Sequence, residues 1–293
     1  MKRGLQIGAL FFLLFLAACN QTEETASEPA SSSTENEEEI DQQEETEDET
    51  NGEDEATEEE SNKEEPETEV KETEIENEEA AEDPEPAYEV SDSWSIVPLD
   101  NANEEVVLLT IDDAPDEYGV EMAETLKELG APAIFFVNGH FLDTLEEEEA
   151  LKKIHEMGFA IGNHTYTHAT LPEISQEEQR EEILSLNERI EEIIGEKPSF
   201  FRAPHGANTD YAIQAAEDAG MTVMNWSFGY DWNQEYMNEE ALADIMVNTE
   251  LLGNGANLLM HDREWTAAAL DDIVKGLRDK GYEMVDPQLI QTP

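Results

Sequence analysis

His164-Thr-Tyr-Thr-His168 sets two imidazoles four residues apart. In a helix or a tight loop such a pair can share one metal ion. One added carboxylate makes a two-His, one-Asp set with coordination positions left open, which suits zinc, iron, cobalt or nickel and leaves room for water. Two adjacent carboxylates, Asp112 and Asp113, directly follow the aliphatic run 106–111. Neighbouring negative charges at a strand end are costly unless something positive neutralises them, and a divalent ion would. One carboxylate can then bind the ion while its neighbour serves as base; with Pro115 close by, the pair also reads as a turn signal. Arg202-Ala-Pro-His-Gly206 places a guanidinium at the start of a stiffened loop, suited to pair with one of those carboxylates and fix its orientation. Pro204 and Gly206 shape a tight turn that can aim the His205 N–H at a substrate oxygen; the His205 ring reads as a wall of the site or as a further ligand. His261, after the apolar run 258–260, suits general-acid work because imidazole exchanges protons near neutrality. His140 and His155 read as structural.

These residues need a scaffold that brings them together from 150 positions apart. From Trp94 onward the pattern alternates strand and helix. Strands are predicted over 106–111, 133–137, 159–162, 200–202, 222–227, 258–260 and 282–285. Helices are predicted over 120–129, 145–157, 175–194, 211–219, 239–249 and 267–280. Ser175 with Glu178 forms a capping box, and Gly130, Gly158, Gly195, Gly220 and Gly253 stop individual helices. Repeated βα units with short connections imply parallel strands, and about seven units favour an irregular parallel β/α barrel over a doubly wound sheet. On that scheme Asp112, Asp113, His164, His168, Arg202, Asp231 and His261 all follow or end strands, so all face the one rim where such barrels build active sites.

The chain has 293 residues, 74 acidic and 15 basic, for a formal charge of −59. Nucleic-acid binding is excluded, since it needs clustered Lys and Arg. Lys2 and Arg3 precede an apolar run over 5–16 that is shorter than the roughly 20 residues of a membrane-spanning helix, which favours a cleaved export signal. Its end, Leu16-Ala17-Ala18-Cys19, resembles a bacterial lipobox. Cys19 is the only cysteine, so no intramolecular disulfide or thiolate cluster is available, and lipidation gives it a purpose. The domain reading is therefore a lipoprotein signal over 1–18, an acidic disordered linker over 19–93 and a catalytic domain over 94–293. Of the 74 acidic residues, 33 fall between 21 and 93 against two basic ones, a composition too polar and self-repelling to bury a core. The expected location is the outer face of a bacterial plasma membrane, held by a lipid anchor, with the linker as spacer. No protein partner is indicated. The acidity of the domain itself is consistent with adaptation to salty or alkaline surroundings, where an anionic surface stays hydrated.

With these residues in hand, the stretch from about 106 to 287 resembles the polysaccharide deacetylases, the NodB-like carbohydrate esterase family 4. The motifs run in the family's order: Thr110-Ile-Asp-Asp113, His164-Thr-Tyr-Thr-His168, Arg202-Ala-Pro-His-Gly206, Asp231-Trp232 and Leu259-Met-His261. The resemblance implies an incomplete β/α barrel and a metal-dependent hydrolase removing N-acetyl groups from amino sugars of a polysaccharide. It also implies roles: Asp112 as base, Asp113, His164 and His168 as ligands of one divalent ion, Arg202 as tether of Asp112, and His261 as acid supported by Asp231. Trp232 and Leu259 would wall the acetyl pocket, and the His205 N–H would contact the substrate. Zinc is the first choice of ion, with cobalt, nickel, iron or manganese as alternatives. Three departures stand out: Ala114 for the usual Gly, His205 for the usual Tyr, and Phe228 where an acidic residue is common, which weakens the case for support of His261.

For an exported, tethered enzyme the natural substrate is peptidoglycan or another acetylated envelope glycan. The rival readings are a catalytically idle carbohydrate-binding lipoprotein on the same scaffold and an O-acetyl esterase of the xylan type. A zinc protease fits less well, because Thr-Tyr-Thr separates the two histidines where the common proteases carry a Glu.

Overall fold

The computed structural model describes residues 84–293. The export signal, Cys19 and the linker up to residue 83 lie outside the described residues. Two short antiparallel strands come first, β1 (Tyr88–Val90) and β2 (Ile96–Pro98). The linker was expected to run to residue 93, so β1 moves that boundary earlier. Burial explains the shift: Tyr88 is 7% exposed, and its carbonyl accepts the Gln291 N–H at 2.7 Å. One aromatic and its flanking Ala87 and Val90 are enough to dock the end of an otherwise polar segment, although its composition reads as linker.

Then come β3 (Val106–Ala114), α1 (Gly119–Leu129), β4 (Ile134–Val137), α2 (Leu145–Glu156), β5 (Ala160–Asn163), α3 (Gln176–Ile194) and β6 (Phe200–Phe201). They are followed by α4 (Asp210–Asp218), β7 (Thr222–Val223), α5 (Glu239–Asn248), β8 (Ala256–His261), α6 (Glu264–Asp279) and β9 (Glu283–Met284). The main sheet is parallel, in the order β7-β6-β5-β4-β3-β8, with β9 beside the first residues of β3. Past β7 the chain returns to β8 through one parallel bridge, Phe228 to Leu258. The fold is a curled parallel half-barrel flanked by helices, as the alternation of elements implies. The Ser175–Glu178 capping box forms in both directions, and Gly130 closes α1 in the left-handed conformation, φ 55°.

Side-chain alternation along β3 sorts the core into two layers. Val107, Leu109 and Ile111 pack outward with Leu126, Leu270 and Ile273 of the helices. Val106 and Leu108 point the other way, with Ile134, Phe136, Phe200 and Met224, and fill the barrel. Burying each such side chain contributes about 1.5–3 kcal/mol. Above this apolar plug the inward set turns polar: Thr110 and Asp112 share the parity of Leu108, and all of them are at most 2% exposed.

The fifth strand was expected over 222–227 but stops at Val223. The carbonyls of Met224 and Asn225 turn inward to accept from the Arg202 guanidinium, and that of Asn225 also accepts from the Asn257 amide at 2.9 Å. A buried guanidinium needs acceptors, and here it takes them from what would have been a ladder.

Candidate active site

Asp112 reaches the rim by strand parity, but Asp113 should by the same parity point away. Two features re-aim it: the register of β3 against β4 shifts between Ile111 and Ala114, and Asp113 adopts φ 59°. His164 begins the loop after β5. Within that loop Thr165 and His168 are also left-handed, φ 68° and 59°, as is His205 at φ 58° in the Pro204–Gly206 turn. Among the described residues six non-glycine side chains have positive φ, and four of them are in these three loops. Such conformations cost of order 1–3 kcal/mol each and persist only where surrounding contacts enforce them. Asn163 supplies part of that enforcement. Its amide donates to the Ile183 carbonyl and to Asn187 of α3, while its oxygen accepts the Thr165 N–H.

The result is a compact donor set. Asp113 Oδ1 lies 3.4 Å from His168 Nε2 and 3.8 Å from His164 Nε2. One ligand atom from each of the three residues falls within 4.8 Å of the others. The set fits a small divalent ion on its own chemistry. His164 Nδ1 lies 2.7 Å from the Arg202 carbonyl, an acceptor that fixes the proton on Nδ1 and leaves the Nε2 lone pair facing Asp113. Burial pushes the His164 imidazole down to about 3, against the pull of Asp113, so it stays neutral as a ligand must. Burial lowers His168 as well.

Asp112 sits beside this set, with one oxygen turned to Arg202 and the other toward His164. Its Oδ1 accepts from Arg202 Nη1 at 2.6 Å, while its Oδ2 is 3.5 Å from His164 Nε2. Arg202 is fully buried, stacked over the Phe136 ring at 4.3 Å, and donates also to Thr110 Oγ1 and to the Asn225 carbonyl. Burial raises the Asp112 carboxyl above the ordinary range, and the nearby Arg202 charge opposes the rise.

Across the pocket, His261 Nδ1 is 2.7 Å from Asp231 Oδ1, and the His261 N–H donates to Oδ2 at 2.6 Å. Thr266 and Trp265 of α6 hold Asp231 in turn. Burial disfavours the imidazolium, but the bond to Asp231 and the charges of Asp231, Asp112 and Asp113 outweigh it and raise the His261 pKa. Phe228 at the commonly acidic position thus leaves the Asp231–His261 pair intact. Trp232, 45% exposed, stands edge-on to His261 with ring centroids 5.5 Å apart, and Leu259 is buried behind it. These groups line one cavity of about 520 Å³ that also holds the rings of His205, Trp226 and Trp265.

Every sequence-named site residue in the described part therefore meets at this cavity or supports it; Cys19 lies outside the described residues. Sequence reasoning missed Arg263, which pairs with Asp113 at 2.9 Å. It missed Asp262, whose buried carboxylate accepts the N–H groups of Asp116 and Tyr118 and ties the loop after β3 to that after β8. It also missed Trp226 and Trp265. The only signal for any of these was closeness to His261 or to the end of a strand, and neither specifies a contact.

A profile for the family described as polysaccharide deacetylase matches residues 100–224. The peptidoglycan-N-acetylglucosamine deacetylase of Bacillus cereus is 30% identical over 201 residues, 65% of this chain and 70% of that protein. The peptidoglycan-N-acetylmuramic acid deacetylase PdaC of Bacillus subtilis is 31% identical over 186 residues, 62% of this chain but 38% of PdaC. Its solved structure superposes with a TM-score of 0.57 at 30% identity, over 63% of this chain and 89% of that one. A solved carbohydrate esterase family 4 pseudoenzyme from Bacillus anthracis is 28% identical, with a TM-score of 0.58 over 64% of this chain and 67% of its own. The chain belongs to the polysaccharide deacetylase family, the NodB-like family 4 of carbohydrate esterases.

Proposed function

We propose that the chain is a metal-dependent peptidoglycan N-deacetylase working at the outer face of a bacterial membrane. One observation carries the reading. A two-His, one-Asp donor set lies between an arginine-held carboxylate and an aspartate-held imidazole, all in one cavity. The Bacillus cereus and Bacillus subtilis relatives act on N-acetylglucosamine and N-acetylmuramic acid of peptidoglycan, and both sugars carry the same acetamido group.

Asp113, His164 and His168 would hold the divalent ion, zinc foremost. Bound there, it supplies Lewis-acid polarisation of water and of the acetyl carbonyl. Asp112 takes the proton from the attacking water, and Arg202 keeps its carboxylate turned toward the cavity. His261, kept protonated by Asp231, gives its proton to the sugar nitrogen as the carbon–nitrogen bond breaks, leaving acetate and a free amine. The His205 turn, on the rim next to His168, offers its N–H to the oxygen that gains charge. Trp232 and Leu259 fit the acetyl methyl. Lys2, Arg3, the apolar run and Cys19 support export and lipid anchoring, and the acidic linker gives the domain reach into the wall.

The test is acetate and free-amine release from peptidoglycan and from N-acetylglucosamine oligomers, with and without a chelator. Release that stops on chelation and returns with zinc or cobalt supports the proposal. The pseudoenzyme relative gives the rival reading its weight. A folded, metal-loaded chain that binds glycan and releases nothing would establish an idle scaffold, and release of acetate from O-acetylated xylan alone an esterase. For the anchor, Cys19→Ala should send the protein from the membrane fraction into the medium.

A further inference from the structure

Asp113 has two oxygens, and the fold gives them different partners. Oδ1 faces His164 and His168, at 3.8 and 3.4 Å. Oδ2 accepts a charge-assisted bond from Arg263 Nη2 at 2.9 Å. Arg263 precedes α6, where it stands one residue beyond the buried Asp262. Its other nitrogen, Nη1, donates to the Asp262 carbonyl at 2.8 Å and lies 3.5 Å from Asp116 Oδ2. The guanidinium therefore has two partners besides Asp113, and Asp262 in turn grips the N–H groups of Asp116 and Tyr118. A planar guanidinium held in this way sets the rotation of a carboxylate plane.

From this geometry we propose that Arg263 is a positioning residue that holds the Asp113 carboxylate in the orientation in which it would serve the divalent ion. The inference rests on the metal reading of the preceding section. By occupying Oδ2, Arg263 fixes the plane of the carboxylate and keeps Oδ1 turned toward the two histidines. It also supports a carboxylate whose backbone is held in the left-handed region, where the loop alone would not dictate its direction. Outer partners of metal ligands typically change affinity 10–100-fold. Arg202 does the corresponding work for Asp112, so each member of the Asp112-Asp113 pair has its own arginine.

The sign of one measurement decides the matter, because a cation this close to the ion has two opposed effects. If Arg263 acts only as a charge, it repels the ion, and neutral replacements bind metal more tightly. If it orients Asp113, they bind more weakly. The experiment titrates zinc into the metal-free wild type, Arg263→Met and Arg263→Gln in competition with a chromophoric chelator and without substrate. Thermal unfolding of each metal-free protein checks the fold. Positioning requires about a 10–100-fold weaker affinity in Arg263→Met. A smaller loss is expected in Arg263→Gln, whose amide still offers an N–H toward Asp113. Unchanged or tighter binding in both variants overturns the proposal. Failure of the wild type to bind zinc overturns the metal reading and this inference together, so the two failures are distinguishable.

Discussion

At the scale of single residues, burial sets the direction for Asp112, His164 and His168, whereas at His261 the partner outweighs burial. Asp231 determines how far into alkali His261 keeps its proton. The pair raises the His261 pKa, so the imidazolium survives to higher pH than a free one, and on the proposed mechanism activity is expected to decline as pH climbs through that raised value. Asp231→Asn removes the charge and leaves burial to dominate. The alkaline limb of the kcat profile should then move to lower pH, with kcat reduced at all pH values; an unmoved limb would assign the proton to another group. The same bond contributes folding stability below the ordinary imidazole pKa, and that contribution is lost as pH rises through the folded value. Asp112→Asn removes the base but none of the three donor atoms. Its expected outcome is a kcat lower by about 10²–10⁴, with stoichiometric metal retained on elemental analysis. An active, metal-loaded Asp112→Asn protein would end the role assigned to Asp112.

At the scale of elements, a helix can be weakened with or without touching the site. The Ser175 capping box stabilises α3 far from the cavity, and Ser175→Ala should cost about 1 kcal/mol in chemical denaturation. Metal affinity should stay as in the wild type. Asn163 ties β5 to α3 and braces the left-handed Thr165, so Asn163→Ala leaves buried partners unsatisfied. A loss of about 1–3 kcal/mol follows for one such group. Unlike the cap, this change should also weaken zinc binding, because the loop carrying His164 and His168 loses its brace. Equal metal affinity in the two variants would show that the loop is held by other contacts. The strand that ends early at Val223 makes the same point from the opposite direction: an element gives up length to satisfy Arg202.

For the molecule as a whole, charge is the dominant unexplained quantity. Between 94 and 293 the sequence carries 41 acidic and 11 basic residues, so most of the acidic side chains have no basic residue to pair with. Self-repulsion of this size destabilises the compact state at low ionic strength and is relieved as the Debye length shrinks from about 30 Å at 0.01 M to about 3 Å at 1 M. The melting temperature should therefore rise steadily with sodium chloride from millimolar to molar concentration. A flat or falling trend in calorimetry would remove salt adaptation as the reason for the acidic surface.

What the sequence determined by itself is what depends on local pattern and strand parity. The order of strands and helices, the capping box and the glycine stops follow from short-range geometry. The gathering of Asp112, His164, Arg202 and His261 at one rim follows because parallel strands all end on the same side. The tertiary structure alone decided the direction of Asp113, since a register shift and a left-handed backbone override the alternation of side chains there. It alone decided that Arg263 holds the second oxygen of Asp113 and that Asp231 keeps His261 despite Phe228. It also shortened the strand after Thr222 and drew Tyr88 into the fold. In each case the deciding contact joins residues far apart in the chain, such as the 150 positions between Asp113 and Arg263. No local propensity encodes such a distance; it is set when the barrel curls and a buried charge must find its partner.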